Sequence, residues 1–305
     1  MKRPLITIGG GVKFFDRLKD FNVEFKNFGD VAYNAFDSVY DSIFGLRWNG
    51  GRICEPKDTV DIATLLLMIK VYNKMGIKYN FSFTNLLLEE EDLDDGYCNL
   101  LLEEISGPDY ANNGVIVASE MLKKYIKNTY PSLKITHSVC NGTSTLKDYN
   151  NATNDPDNDI VVLHPDFNHD LKFLSQLENK EKYEIIINDY CAFGCPYRRE
   201  HYTLLSKYSL LQSRDPIVHR IEELDITRHS SPYSECIAVR NGFNKDGRNV
   251  LTFEDIDNLL DMGFRYFKLT GREYDWNDFG PVVNKYCFKY WVRTLVKEAK
   301  QNIHI

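Results

Sequence analysis

The chain has little that would tie it to a membrane, to nucleic acid through charge, or to a disulfide scaffold. No apolar run in its 305 residues approaches the ~20 needed to cross a bilayer. The start, Met1-Lys2-Arg3-Pro4-Leu5, lacks the long apolar stretch of a signal peptide. These absences predict a cytoplasmic protein without membrane contact. Positive charge is in deficit. The 37 Lys and Arg against 44 Asp and Glu leave a formal net charge of −7, which argues against nonspecific wrapping of nucleic acid and leaves a local basic patch open. Proline is sparse, and no stretch rich in Pro, Gly or Ser forms a linker. With no internal repeat either, residues 1–305 read as one domain. Familiar hydrolytic signatures are missing as well. There is no His-Glu-x-x-His pair and no Gly-x-Ser-x-Gly elbow. Gly9-Gly10-Gly11 is not followed by Gly-Lys-Ser/Thr, so it reads as a tight turn rather than a phosphate cradle.

What remains is an ordinary globular composition, 43% hydrophobic and 27% charged, on a chain long enough to bury a large core. Apolar runs of strand length recur at wide spacing: Leu5–Ile8, Ser38–Phe44, Lys78–Phe83, Val115–Ala118, Leu133–Ser138, Ile160–His164, Glu184–Asn188 and Arg265–Leu269. Helical patterns are clearest over Thr59–Met75, Ser119–Thr129 and Phe253–Met262. The first and third stop at Gly76 and Gly263, the residue type expected past a helix end. Alternating strands and helices imply parallel strands joined by right-handed crossovers. Eight such units predict an α/β fold, a closed (β/α)8 TIM-type barrel, with a doubly wound open sheet as the competitor. The Asp/Asn-rich segment Asp148–Asp159 reads as an exposed loop, because it lacks the residue order of a calcium loop.

The seven cysteines are Cys54, Cys98, Cys140, Cys191, Cys195, Cys236 and Cys287. An odd number in a chain of this size points to a reducing compartment, where a cysteine cluster means metal or catalysis more often than disulfides. Cys191 and Cys195 directly follow the β-branched run Glu184–Ile187 and its polar exit Asn188-Asp189-Tyr190. In a barrel, residues just past a strand share the C-terminal mouth whatever their separation in sequence. Cys54 follows the second strand, Cys140 closes the fifth, and Cys236 lies between the seventh and eighth. Cys98 falls in the long loop after the third strand, and Cys287, in the helical pattern Val282–Lys297, reads as core packing. Four thiolates at one mouth suit tetrahedral zinc or an iron–sulfur cluster, and spacing does not separate the two. His137 and His164 end the fifth and sixth strands, where side chains of this fold serve the site, and Asp166, Asn85 and Asn188 share that position. Arg198, Arg199, Arg272 and Lys268 are candidates to offset a cluster's negative charge, with surface ion pairing the competing role for Arg198 and Arg199. His201 is a candidate proton donor or ligand, against a purely structural role.

The string Asn188-Asp189-Tyr190-Cys191-Ala192-Phe193-Gly194-Cys195-Pro196-Tyr197-Arg198-Arg199-Glu200-His201-Tyr202 resembles the cysteine motif of the collagenase-like peptidase family of unassigned catalytic type. Leu259–Arg272 resembles that family's later helix–Gly–strand segment running into Lys-Ile-Glu-Gly-Arg, with Thr270 in place of the Glu. Val282–Tyr286 is similar to its next helix, and Trp48-Asn49-Gly50-Gly51-Arg52 is similar to a Gly-Arg turn after the second strand. The strong matches cover the C-terminal third. The resemblance implies a TIM-type barrel and, in several members, a 4Fe-4S cluster held by four cysteines. It also implies oxygen-independent hydroxylation of RNA bases or of a small aromatic precursor, with peptidase activity attributed to other members. Carried onto this sequence it implies Cys191, Cys195 and Cys236 as ligands, Cys54 as the fourth and Cys140 as the alternative fourth. Arg198, His201, Arg272, His137 and His164 become the candidate catalytic residues. An RNA or small-molecule substrate and a partner subunit are the partners it implies. The alternatives are a peptidase or hydrolase, or a zinc-binding barrel without a redox cluster.

Overall fold

The computed structural model describes residues 3–28, 33–51, 54, 59–110, 112–189, 191, 193–214, 249–272 and 274–303. Eight parallel strands close into a barrel in sequence order: β1 (Leu5–Gly9), β2 (Ser38–Asp41), β3 (Lys78–Phe83), β4 (Gly114–Val117), β5 (Lys134–His137), β6 (Ile160–Leu163), β7 (Tyr183–Ile186) and β8 (Tyr266–Leu269). Each lies within the stretch expected from the sequence or overlaps it closely, and the open sheet is excluded by the pairing of β1 with β8.

The register sorts the strand residues into two sets. Thr7 lies opposite both Ser38 and Lys268. The Ser38 hydroxyl meets that of Thr7 at 2.9 Å, and Lys268 Nζ donates to Glu184 Oε2 at 3.1 Å. This set, with Tyr40, Asn80, Ser82 and Thr136, faces the barrel axis together with Ile116, Val162 and Ile186, so the interior mixes polar groups with three apolar side chains. The alternate set, including Ile8, Val39, Phe81, Ile135, Leu163 and Phe267, packs outward under the helices and forms the hydrophobic core. Side chains on a strand alternate between faces, so one register fixes both linings.

The surrounding helices are α1 (Phe15–Phe28), α2 (Ile62–Lys74), α3 (Gly96–Ser106), α4 (Glu120–Thr129), α5 (Leu146–Asn154), α6 (Leu171–Gln176), α7 (Arg198–Arg214), α8 (Phe253–Met262), α9 (Trp276–Val283) and α10 (Tyr290–Ile303). Their starts carry the expected caps. Asp61 accepts from the Thr64 amide, Ser119 from that of Leu122, and Thr252 forms a capping box with Asp255. Helix α8 ends at Gly263 with φ of 110°, a left-handed geometry that favours glycine. The segment expected as an exposed loop is mostly helix. In α5, Thr145 caps the start, and Tyr149 and Thr153, four residues apart, are buried on one face. Two buried anchors and a cap outweigh the turn-forming Asp and Asn between them. Gly10, in the turn after β1, has φ of 85°, as the glycine triplet suggested. Cys287 is buried between α9 and α10, and burial pushes its thiol up to about 12, in line with core packing.

The connection from β7 to β8 departs from the simple strand–helix repeat. The crossover helix is α8. Before it, the chain leaves the barrel after Asn188 and returns at Val250, where the two residues form an antiparallel bridge. The amide of Leu251 donates to the Ile187 carbonyl (2.9 Å) and that of Asp189 to the Asn249 carbonyl (3.2 Å). These bonds close the neck of an excursion that carries Cys191, Cys195 and α7. Cys236 belongs to the same excursion but lies outside the described residues.

Candidate functional site

The C-terminal ends of the strands form a mouth, and α7 lies across it. Its first turn sits by β7 and β6, where Arg198 reaches Asp189 and Asp166. One residue on, Arg199 Nη1 donates to the Asn141 carbonyl after β5 (3.3 Å). Midway, the Ser206 hydroxyl accepts from the Leu86 amide (3.0 Å), and the Ser206 carbonyl accepts from Asn85 Nδ2 (3.1 Å), both just past β3. Near its end Gln212 Nε2 donates to the Cys54 carbonyl after β2 (3.1 Å). A helix that begins beside β7 and ends beside β2 spans the barrel nearly from side to side.

Arg198 is the hub at the near end. Its guanidinium lies 3.1 Å from Asp189 and 3.7 Å from Asp166. Burial works against its charge, but Asp189, Tyr202 and Cys191 outweigh burial and raise its pKa. Tyr202, one turn along, is held in its neutral form by burial, reinforced by the neighbouring Cys140 and Cys191. Asp166 also accepts from the Gly194 amide (3.1 Å), which ties the Cys-x3-Cys loop to the end of β6. His164 Nδ1 accepts from the Asp166 amide (3.3 Å), and burial together with Arg198 lowers its pKa, so the ring is neutral at pH 7. Asn249 braces the loop from the returning chain, donating to the Cys191 carbonyl at 2.8 Å.

Across the mouth, Arg272 follows β8 and stands 3.6 Å from Asp41 at the end of β2. Burial raises the Asp41 pKa against the pull of Arg272 and of the Ser42, Val12 and Lys13 amides. Below the mouth, Lys268 pairs with Glu184 and lies 4.0 Å over the Tyr40 ring. Of the cations that the sequence assigned to offsetting a cluster, Arg198, Arg272 and Lys268 each stand beside a carboxylate, whereas Arg199 is exposed and bonds a carbonyl.

The thiols distribute unevenly. Cys191 and Cys195 are half-buried at the near end of α7, whereas Cys54 and Cys140 are buried. Cys140 lies in the short turn after β5, beside Gly51 and within the field of Tyr202. The Cys54 thiol is turned to the Ser42 carbonyl and to Asn49 Nδ2, both at 3.8 Å, with its backbone at the far end of α7. Arg198 and Gln212 are separated by about 21 Å of helix at 1.5 Å per residue. The structure therefore brings Cys140 nearer than Cys54 to the Cys191/Cys195 loop. Among the described residues no three His, Cys, Asp or Glu side chains gather to hold a metal ion. Cys98, expected in a loop, lies in the first turn of α3, capped by Asp95, on its buried face, and burial raises its thiol pKa well above the ordinary value.

His137 does not face the mouth. It belongs to the outward set on β5 and lies against α4, with Nδ1 3.8 Å from Glu120 and Nε2 3.1 Å from the Thr143 hydroxyl. Strand alternation, not position in sequence, decides this. It lines a polar cleft of about 380 Å³ between α4 and α5, outside the barrel. His201 lies in the first turns of α7, partly exposed, its amide bonded to the Tyr197 carbonyl. The sequence reading missed Asp189, Tyr202, Glu184 and the buried polar residues of α7. The signal for the last was present: Ser206, Ser209 and Gln212 follow Arg198 at helical spacing.

Among the described residues no helix is long and apolar enough to cross a membrane. Neither the family models nor the curated proteins give a match to the sequence. A solved structure described as the U32 peptidase Mk0906 is similar to this chain, with a TM-score of 0.55 at 14% identity, over 89% of this chain and 94% of the other. At that identity the likeness is one of fold: a single eight-stranded parallel barrel ringed by helices.

Proposed function

We propose that the chain is a modifying enzyme of the collagenase-like peptidase kind, working at the barrel mouth, with Cys191 and Cys195 as half of an iron–sulfur centre. One observation carries this reading. The excursion after β7 presents the cysteine pair at the mouth, braced by Asp166, Asn249 and Arg198, on a barrel whose structural neighbour is described as a U32 peptidase. The motif resemblance in the sequence points the same way.

The donor set suits a soft metal, since four thiolates favour iron–sulfur or zinc over hard cations. The described residues supply part of it. Cys191 and Cys195 would be joined by Cys236 and, on the placement of α7, by Cys140 in preference to Cys54. A 4Fe-4S cluster would supply electron transfer or a binding position for an oxygen donor, in keeping with oxygen-independent hydroxylation of an RNA base or a small aromatic precursor. The protein's own part is more specific. Arg198 fixes Asp189 and Asp166 and hence the shape of the cysteine loop. Neutral His164, with Nδ1 occupied by a backbone amide, offers Nε2–H as a hydrogen-bond donor to a substrate oxygen. The acceptor would sit at the mouth, above the packed barrel interior.

Purification without air tests the proposal. A visible absorbance that dithionite bleaches, and that Cys191→Ala removes, supports it. A colourless protein holding zinc, or hydrolysing peptides with no metal bound, supports the alternative of a hydrolase or zinc-binding barrel.

A further inference from the structure

Helix α7 differs from the outer helices in what it buries. Helices α2, α3 and α8 bury Leu, Ile and Tyr against the barrel wall. The buried face of α7 includes Arg198, Ser206, Ser209 and Gln212 beside Leu205 and Tyr208, and Ser206 is fully covered. Its seats on the mouth are polar: Asn141, the Asn85–Leu86 pair and the Cys54 carbonyl. These seats are seven and six residues apart, about 10 Å and 9 Å along the axis. Hydrophobic burial scales with apolar area, and a contact made largely of hydrogen bonds exchanges them for water at small net cost. A helix seated this way is the first to part from the body of a fold. The bridge between Asn188 and Val250 holds the neck of the excursion to the end of β7, independently of the seats made by Arg199, Ser206 and Gln212.

We propose that α7 is a roof over the barrel mouth that swings as a unit about its first turn, held by the buried Arg198–Asp189 pair, to admit a small polar molecule, and closes over it. This rests on the mouth being the ligand site and deepens that reading by giving the ligand a size. The interior beneath carries the neutral polar groups Thr7, Ser38, Ser82 and Thr136 beside Ile116, Val162 and Ile186, with the Lys268–Glu184 pair as its charged element. That lining suits a ligand rich in hydroxyl, carbonyl or amide groups. With α7 seated, a polymer laid across the mouth does not reach it.

The test is amide hydrogen exchange on the full chain, comparing wild type with Gln212→Ala. The substitution removes only the seat at the far end. If α7 moves as one body, the loss weakens every seat. Exchange then rises about fivefold, the effect of one hydrogen bond, at Leu86, whose amide bonds Ser206 some six residues away, and at the amides of residues 203–210, since a helix of this length frays in water once off its seats. The amides of α8 stay unchanged. A rise confined to the last turn of α7 means local fraying and overturns the proposal. An equal rise in α8 means loss of global stability, and no rise means that the seat carries nothing; either also overturns it. None of these readouts depends on a bound metal or on turnover, so the iron–sulfur reading can fail while the roof stands, and the reverse.

Discussion

Replacing Lys268 by Met leaves the Glu184 carboxylate alone inside the barrel. Both side chains are almost wholly enclosed, at 7% and 6% exposure, with 3.1 Å between Nζ and Oε2. Removing one member of such a pair costs about 3–5 kcal/mol, because the survivor keeps its desolvation penalty and loses its partner. At about 2–4 °C per kcal/mol for a large domain, the melting temperature falls by roughly 10 °C. Glu184→Gln is expected to cost less. The amide carries no charge, and the Lys268 ammonium keeps the Tyr40 ring at 4.0 Å, an attraction of about 0.5–2 kcal/mol. Lys268→Met combined with Glu184→Leu removes both charges and recovers most of the loss, to within about 1–2 kcal/mol of wild type. Urea unfolding at constant m-value measures all four proteins. A loss below about 1 kcal/mol for Lys268→Met, or a double variant as unstable as the sum of the singles, refutes the assignment of this pair to a closed, water-poor interior.

Three further outcomes follow from named contacts. Burial lowers the His137 pKa below its ordinary 6.5, opposed by Glu120 and Asp155 and assisted by Lys123. The stability this contributes is full above pH 6.5 and is lost as pH falls through the lowered value, so His137→Gln should flatten the decline in urea midpoint between pH 7.5 and 5.5. Thr252→Ala removes the capping box of α8 and should cost about 1 kcal/mol by the same unfolding assay, with no change in metal content. Cys191→Ala and Cys195→Ala should each abolish metal binding, whereas Cys287→Ser, whose thiol is buried against the core, should leave metal content unchanged and lower only stability.

The barrel was legible because its outward strand faces are apolar and its helix ends are punctuated. Val115–Val117, Ile160–Leu163 and Gly263 each state their role locally. The α5 helix was not, because its two anchors, Tyr149 and Thr153, sit among turn-forming residues whose local preference reads as loop. The direction of His137 depends on register, which a single strand cannot show. The crossing helix α7 was hidden for a related reason. Its polar stripe looks like a solvated face until Asn85, Asn141 and Cys54, distant in sequence, are brought beneath it. The ion pairs of Arg272 and Lys268 were invisible on the same ground, since Asp41 and Glu184 come from other strands, whereas Asp189, the partner of Arg198, lay nine residues upstream in the same motif.

The most direct measurement is iron and acid-labile sulfide in the protein purified without air, set beside Cys195→Ala prepared identically. The account predicts about four of each per chain in the wild type, the content of a cubane cluster, and none in the variant. Wild-type protein without iron, or a Cys195→Ala variant that keeps its full complement, would contradict it.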